Sequence, residues 1–301
     1  MKDPYLLHMF NSTKNVSPFD VNMAYEADFD GVIPYADVTL DDIHGLTQDT
    51  IFSRGPTGVK RTGIFIGGRD FGLALDMLEE ARKAMVPPFE VSVFADPSGA
   101  ITTAAALMAC VEVWLRRKGA GGLAGRNIYL LGGTGPVGLC AGVIGARAGA
   151  HMYLASTRGA EAALKAGAPY HMRYGVEMRG ADSSGDAAIR AFLAHADVVV
   201  GAAKAGTQVL SSAQLAEAPR LLVAADVNAV PPAGIEGVGV QDMGKELPST
   251  PARAAGIGAL AIGNVKYKVH YRLFQMMIEA PKPVYLDHTQ AFAVAREYAA
   301  G

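Results

Sequence analysis

The chain has 301 residues and half of them (50%) are hydrophobic, so it can form one large domain or two medium ones around a substantial core. Its formal net charge is −2 without long runs of like charge, which argues against a nucleic-acid-binding surface, because such surfaces carry a basic excess. The two cysteines lie in Ala-rich apolar contexts, which argues against disulfides and for a reducing compartment. The start lacks the pattern of a secretory signal, and Gly, Pro or charged residues interrupt the apolar stretches before membrane-spanning length, so we expect a cytoplasmic protein without a membrane partner.

The first part of the chain alternates short apolar runs with helical patterns, which is typical of a parallel sheet covered by helices. Strands are predicted at residues 5–10, 31–35, 62–66 and 91–95, and helices at 18–26, 70–85 and 98–118. The last helix ends on Arg116, Arg117 and Lys118, cations that suit a helix C-terminus, and a glycine-rich segment then stops it. We therefore place a domain boundary along this helix or just after it.

A second α/β series follows that boundary. Strands are predicted at 126–131, 151–155, 197–201, 221–225 and 284–286, and helices at 136–147, 186–194, 211–216, 258–280 and 289–298. Residues 179–185 are predicted to form a loop. The pattern indicates an α/β protein with two α/β domains, of which the second is a Rossmann-like, doubly wound parallel sheet. The domains are predicted to span residues 1–118 with 270–301, and residues 119–269.

The strongest chemical motif lies between the first strand and the first helix of the second series. It contains G-x-G-x-x-G at Gly133, Gly135 and Gly138. Glycines allow a tight turn and let a pyrophosphate approach the backbone, while the following helix start offers free N–H groups and a partial positive charge. The alternative is a plain glycine turn, but the strand before it and the helix after it favour a dinucleotide site.

The end of the next predicted strand indicates which dinucleotide binds. NAD sites usually end this strand with an acid that accepts a hydrogen bond from the ribose 2′-hydroxyl. Here the strand is followed by Ser156, Thr157 and Arg158, whose hydroxyl and guanidinium donors suit a 2′-phosphate. NADP is therefore predicted, with NAD as a weaker alternative; the other interpretation of Arg158 is a solvated loop residue.

Small residues follow the strand predicted at 197–201. Because the carboxyl ends of parallel strands border the ligand crevice, Ala203 and its neighbours would let the nicotinamide half lie against the backbone. Lys204, in the same segment, is interpreted as a solvated side chain.

Four further segments place polar residues at strand ends or helix starts, where binding sites tend to form. Their polar residues are Asp20, Asp96 with Ser98, Asp226 with Asn228, and Lys266 with Lys268. Each has a structural alternative: support of a helix start or turn for the aspartates, Ser98 and Asn228, and a solvated helix face for the lysines. The seven histidines are scattered without metal-ligand spacing, and we predict no metal site.

Together these segments resemble the NADP-dependent methylene-tetrahydromethanopterin dehydrogenases of methylotrophic bacteria, over nearly the whole chain. The landmarks are SPFDVNM at 17–23, LTQDTIFSR at 46–54, GIFIGG at 63–68, FADPSG at 94–99 with Thr102-Thr103, DVNAVPPAG at 226–234 and GIGALAIGNVK at 256–266. The N-terminal landmarks are closer to the branch dedicated to the methanopterin pterin than to the branch that also accepts tetrahydrofolate.

The resemblance implies two α/β domains with a cleft between them, NADP in the later domain, a tetrahydropterin substrate across the cleft, a homo-oligomer, and neither metal nor flavin. It implies dinucleotide contacts from Gly133, Thr134, Gly135, Pro136 and Val137, with Arg158 near the 2′-phosphate. The positions of Ser156, Thr157, Ala203 and Asn228 at strand ends add these four to the predicted cofactor-binding residues. The resemblance also implies that Lys266 faces the substrate. The other predicted substrate-binding residues, chosen from their motifs, are Asp20, Asp96, Ser98 and Thr102.

The implied reaction moves a hydride from the methylene carbon of the pterin to NADP and leaves a methenyl cation, a step in formaldehyde oxidation. No proton moves, so the protein's main task is to orient two ligands. Asp20 and Lys266 are the predicted catalytic residues. A carboxylate, with Asp20 and Asp96 as the candidates, can stabilise the developing cation, and the lysine can bind a polar group of the pterin ring. The alternatives are a methylene-tetrahydrofolate dehydrogenase and a non-catalytic NADP-binding regulator.

Overall fold

The computed structural model describes residues 3–300, which form two compact units. Unit 1 comprises Met1–Thr102 and Tyr267–Val294, and unit 2 comprises Thr103–Lys266 and Ala295–Gly301. The strands are β1 (Leu6–Asn11), β2 (Gly31–Tyr35), β3 (Thr62–Gly67), β4 (Ser92–Ala95), β5 (Asn127–Leu131), β6 (His151–Ser156), β7 (Met178–Asp182), β8 (Val198–Gly201), β9 (Val223–Asp226), β10 (Met243–Glu246), β11 (Ala255–Ile257) and β12 (Tyr285–Leu286). The helices are α1 (Pro18–Glu26), α2 (Asp42–Phe52), α3 (Pro56–Val59), α4 (Phe71–Lys83), α5 (Ala100–Arg117), α6 (Pro136–Arg147), α7 (Ala160–Tyr174), α8 (Asp186–Leu193), α9 (Ser212–Leu215), α10 (Ala259–Glu279) and α11 (His288–Ala300).

Unit 1 is built on a five-stranded parallel sheet in the order β12-β4-β3-β1-β2. Strands β3 and β4 are buried along their whole length, which explains why they read as continuous apolar runs in the sequence. Phe65 of β3, Phe94 of β4 and Phe274 of α10 pack ring against ring, with centroids 5.3–5.5 Å apart. This aromatic core lies beside the polar residues described below.

Unit 2 contains a seven-stranded sheet in the order β10-β11-β9-β8-β5-β6-β7, parallel except for the β10–β11 pair. Counted from β5, the parallel strands follow the order 3-2-1-4-5-6 of a doubly wound dinucleotide-binding sheet. The order reverses between β5 and β8, and ligands of such sheets bind beyond the carboxyl ends of the strands at that point. The predicted α/β fold with a Rossmann-like second sheet is confirmed.

The loop predicted at residues 179–185 is wrong, because strand β7 covers Met178–Asp182 and pairs with β6. This strand lies at the edge of the sheet and carries Arg179, Gly180 and Asp182, so its composition resembles that of a loop. Glycine is required at position 180 by packing, since a Cβ there would overlap the carbonyl oxygen of Ala160.

The unit boundaries differ from the predicted domain boundaries, because α5 belongs to unit 2 almost from its start. Arg296 donates to both carboxylate oxygens of Glu112 on α5, at 2.7 and 3.0 Å, and the Trp114 ring lies where a Cβ of Gly244 would be. The glycines after residue 118 therefore end a helix and do not mark a change of unit. The second boundary lies after Lys266, within α10.

Helix α5 also corrects the expectation that the apolar stretches are too short to span a membrane. Within residues 3–300, the segment Pro97–Arg117 is long and apolar enough by length and composition. However, 78% of its most apolar window is buried inside the protein, as in the core helix of a soluble domain.

Candidate functional site

The turn between β5 and α6 begins with a glycine that no other residue can replace without strain. Gly132 has φ +78°, in the left-handed region. A Cβ there would also lie 2.6 Å from the backbone of Ala203, which follows β8. Gly132 therefore lets the turn pass close to the end of the neighbouring strand.

The first and last glycines of the G-x-G-x-x-G motif serve packing. A Cβ on Gly138 would lie 2.6 Å from the Cα of Gly133, and a Cβ on Gly133 would lie 2.6 Å from the carbonyl oxygen of Leu130. Their bare backbones hold the start of α6 against the ends of β5 and β6.

The middle glycine has a different environment. Gly135 is the N-cap of α6, and its φ of −81° is open to any residue. A Cβ at this position would have one close neighbour, the carbonyl oxygen of Gly132 at 3.4 Å. The packing of the fold therefore does not require glycine at position 135. An anion that approaches the helix N-terminus does require it, because a side chain would occupy the same space.

A cavity of about 450 Å³ in unit 2 opens at this turn. The predicted cofactor residues that line it are Thr134, Gly135, Ser156, Thr157, Arg158 and Ala203. Gly133, Pro136, Val137 and Asn228 do not line it. Four polar side chains at the cavity, those of Thr134, Ser156, Thr157 and Arg158, are among the predicted cofactor residues, and their contact with a cofactor stays a prediction.

Other lining residues were missed or interpreted differently. Lys204, interpreted as solvated, is exposed and also lines the cavity, together with Thr207 and Gln208. Ser183 was missed because β7, the strand before it, had been predicted as a loop. The signal for Lys204 was its position directly after a parallel strand, the same rule that selected Ala203.

The end of β6 presents its polar groups in a fixed turn. The buried Ser156 accepts a hydrogen bond from the Arg158 backbone N–H at 3.1 Å through its hydroxyl oxygen. The Thr157 and Arg158 side chains are exposed at the cavity. The serine thus shapes the turn that carries Arg158. The exposed Arg158 guanidinium has donors that suit an anionic ligand.

Asn228 does not line the cavity, but it joins the two loops next to it by hydrogen bonds. Its side-chain oxygen accepts from the N–H groups of Gly206 and Val230, at 3.1 and 2.9 Å, and its amide donates to the Pro232 carbonyl at 2.8 Å. The adjacent Asp226 carboxylate accepts from the Asn228 N–H, and burial raises the pKa of Asp226 above its usual range. These contacts support the interpretation of Asn228 as the residue that holds the proline turn to the segment after β8.

Unit 1 brings together three predicted substrate residues with one that sequence reasoning missed. We call Asp20, Asp96, Thr102 and His270 the Asp–His cluster; all four are buried. Asp96, directly after β4, accepts from the N–H groups of Ile101 and Thr102 at 2.8 and 3.1 Å, and from the Thr102 hydroxyl at 2.6 Å. Asp96 therefore supports the start of α5, as its structural alternative predicted.

His270, on α10, lies between the two aspartates of the cluster. Its Nδ1 is 3.0 Å from Asp96 Oδ2, and its Nε2 is 3.8 Å from Asp20 Oδ1. Asp20 sits in the first turn of α1. The sequence held only one signal for this histidine: it follows Lys266 of a landmark segment by one helical turn.

The remaining predicted substrate residues are Ser98 and Lys266. Ser98 is exposed, adopts φ +52°, and donates its hydroxyl to the Gly68 carbonyl at 2.7 Å. A serine in the left-handed region is uncommon and often marks a functional segment. Lys266 is partly buried on α10.

Comparison with known proteins gives two relatives over the whole chain. The NAD(P)-dependent methylenetetrahydromethanopterin dehydrogenase of Methylorubrum extorquens is 47% identical over 294 residues, which cover 98% of each chain. This chain belongs to the methylene-tetrahydromethanopterin dehydrogenase family. The bifunctional protein MdtA of the same organism is 32% identical, covering 98% of this chain and 99% of its own.

A family profile agrees with this membership, and one solved structure shares the fold. Residues 18–98 match the family described as methylene-tetrahydromethanopterin dehydrogenase, N-terminal. Ornithine carbamoyltransferase from Pyrococcus furiosus has a TM-score of 0.54 at 13% identity over 93% of this chain and 86% of that one, a likeness of fold alone. Asp20 and Asp96 lie within the segment that the family profile matches.

The different environments of the glycines in the turn give a paired prediction. Gly135→Ala should lower NADP affinity by about tenfold or more, since its Cβ would fill the space before the helix N-terminus, while stability stays nearly constant. Gly138→Ala should instead destabilise the fold by about 1–3 kcal/mol, because its Cβ meets backbone. NADP titration by fluorescence and thermal unfolding measure the two effects; equal loss of stability in both variants would contradict the assignment.

Proposed function

We propose that this protein is an NADP-dependent methylene-tetrahydromethanopterin dehydrogenase that oxidises the methylene pterin to the methenyl form in formaldehyde oxidation. The observation that carries the proposal is 47% identity, over nearly the whole chain, to a relative with that name. In this proposal unit 2 binds the dinucleotide and unit 1 supplies most of the pterin contacts. A cytoplasmic location and a homo-oligomer belong to the same proposal. Sedimentation of the purified protein would test the oligomer.

The residues at the unit 2 cavity suit a phosphorylated dinucleotide. Gly135 leaves room before the α6 N-terminus for a pyrophosphate, and Ser156, Thr157 and Arg158 supply donors for a 2′-phosphate. When bound, NADP supplies the ring carbon that accepts the hydride. The name of the 47% identical relative includes both NAD and NADP, and we expect NAD to be the weaker partner here.

The substrate-binding candidates divide into two groups. Asp96 and Thr102 are engaged with each other and with the start of α5, so we propose that they act by holding the site together. Ser98 is exposed and Lys266 is partly exposed, so their side chains are accessible to a ligand. Asp20 is the carboxylate that we assign to the developing cation.

Hydride transfer requires only that these side chains have the right charge and the right position. Hydride loss from the methylene carbon leaves a cation shared by the two flanking pterin nitrogens, so no general acid or base is needed. A fixed carboxylate favours the cation because its charge is in place before the reaction begins. We propose that Lys266 binds a polar group of the ring away from the cation, where its positive charge does not repel the cation.

The function is tested by a spectrophotometric assay of the purified protein with methylene-tetrahydromethanopterin and methylene-tetrahydrofolate, each with NADP and NAD. We expect the highest kcat/KM with tetrahydromethanopterin and NADP. A preference for the folate substrate would support the alternative dehydrogenase. Tight NADP binding without turnover of either pterin would indicate a regulator.

Arg158→Ala should raise the KM for NADP by about 10- to 100-fold and change the KM for NAD little, because a guanidinium–phosphate pair is a strong charge-assisted contact. Arg158→Lys should recover part of the affinity, since it keeps charge without the fork of donors. Arg82→Ala, at an exposed arginine of unit 1, is the matched control. Equal losses for NADP and NAD would show that Arg158 does not recognise the 2′-phosphate.

Lys266→Ala should reduce kcat/KM for the pterin by about 10²-fold, the scale expected when a reactant is misplaced. NADP affinity, measured separately by fluorescence, should hardly change. The control is Lys268→Ala, which removes an exposed lysine two residues further along α10. Similar kinetics for the two variants would remove Lys266 from the site.

A further inference from the structure

We propose that His270 is a positioning residue that holds the Asp20 carboxylate in place through a buried chain of contacts starting at Asp96. The inference rests on the function proposed above, in which Asp20 acts on the developing cation. The hydride transfer needs no proton acceptor, so the buried imidazole requires another explanation. Its position between two carboxylates supplies one.

Asp96 is the fixed end of this chain. Its Oδ1 accepts from the Ile101 and Thr102 N–H groups and its Oδ2 from the Thr102 hydroxyl, so the start of α5 determines where the carboxylate lies. His270 Nδ1 is 3.0 Å from the same Oδ2. Because a carboxylate oxygen only accepts, any hydrogen bond across this contact is donated by the ring nitrogen.

The opposite ring nitrogen faces Asp20. His270 Nε2 lies 3.8 Å from Asp20 Oδ1, which is within ion-pair distance but longer than a direct hydrogen bond. The His270 and Asp20 side chains are 0% and 5% exposed, so water screens this interaction little. A buried charge interaction over this distance can bias the orientation of the Asp20 carboxylate.

Aromatic rings keep the imidazole in one orientation. The Phe19, Phe94 and Phe274 rings lie 5.4, 5.3 and 5.0 Å from the His270 ring, the first edge-on at 90°. Phe19 precedes Asp20 on α1, so the same ring contact also locates the helix that carries Asp20. His270 therefore positions Asp20 both by charge and through the packing of its neighbour.

The kinetic test is a double-mutant cycle between His270 and Asp20 in the full-length protein. His270→Phe keeps a ring in the aromatic pocket but removes both nitrogens; we expect kcat to fall by about 10²-fold while the KM for NADP stays constant. His270→Gln, which restores one amide donor, should recover part of kcat. In an Asp20→Asn background, His270→Phe should have little further effect, because residues that act as a unit give non-additive losses.

The matched control is His288→Phe, at a second buried histidine of unit 1, whose Nδ1 lies 3.6 Å from Asp287. It should lower stability without lowering kcat. Full additivity in the cycle, or a loss in His270→Phe no larger than in the control, would overturn the proposal.

A spectroscopic measurement decides the question even where His270 variants fail to fold. In protein labelled with 15N at histidine, Asp20→Asn should shift the ring nitrogen signals of His270 and leave those of His288 in place. Unchanged His270 signals would contradict the chain of contacts. This readout needs no turnover, so it stays informative if the wild-type protein oxidises neither pterin, an outcome that would overturn the proposed function alone.

Discussion

The backbone contact between Gly133 and Gly138 brings the start of α6 against the ends of β5 and β6, and the unit 2 cavity depends on it. Side chains at these positions would push the helix away from the sheet, and its free N–H groups would move with it. Gly132 adds a second close approach, to Ala203 after β8. The carboxyl ends of the two strands on either side of the switch point therefore lie close together, and the donors at the end of β6 line the same space.

The helix start that follows β4 in unit 1 differs from the one that follows β5 in unit 2. In both units a parallel strand ends at a tight turn and a helix follows. After β5 the turn has no side chain in front of the helix N-terminus, which leaves its partial positive charge for a ligand. After β4 the Asp96 carboxylate occupies the N-terminus of α5, so this helix start is satisfied within the chain. The second oxygen of that carboxylate is then available to face His270.

Local patterns predicted most of the fold because parallel strands and their helices leave strong signals. Helices α1 and α6 and strand β2 begin and end at the predicted residues, where Pro, Gly and the apolar pattern agree. Where the structure differs from the expected elements and boundaries, the physical causes lie beyond a local stretch of sequence. Strand β7 is polar because it is an edge, and the assignment of α5 to unit 2 depends on partners such as Arg296, far along the chain. Helices α2 and α7 were not predicted.

The residues of the candidate site also fall into those that a local motif predicts and those that depend on distant parts of the chain. Residues in the glycine turn and at the end of β6 are local to their motif, so the sequence placed them at the cavity. The role of Asn228 depends on three backbone groups of two separate loops, which no motif encodes. His270 is 250 residues from Asp20 in the sequence, and only the folded unit 1 places it between the two aspartates.

The net charge of the Asp–His cluster links its geometry to the proposed reaction. If the imidazole is protonated, it lies between two carboxylates and the cluster carries one net negative charge. If the imidazole is neutral, two carboxylates lie in the same buried cluster with no positive charge between them. Two unscreened carboxylates would be costly to bury, and a neutral cluster would offer nothing to a cation. Under the function proposed above, a single net charge held in place by α5 and the aromatic rings would stabilise a methenyl cation without trapping a proton.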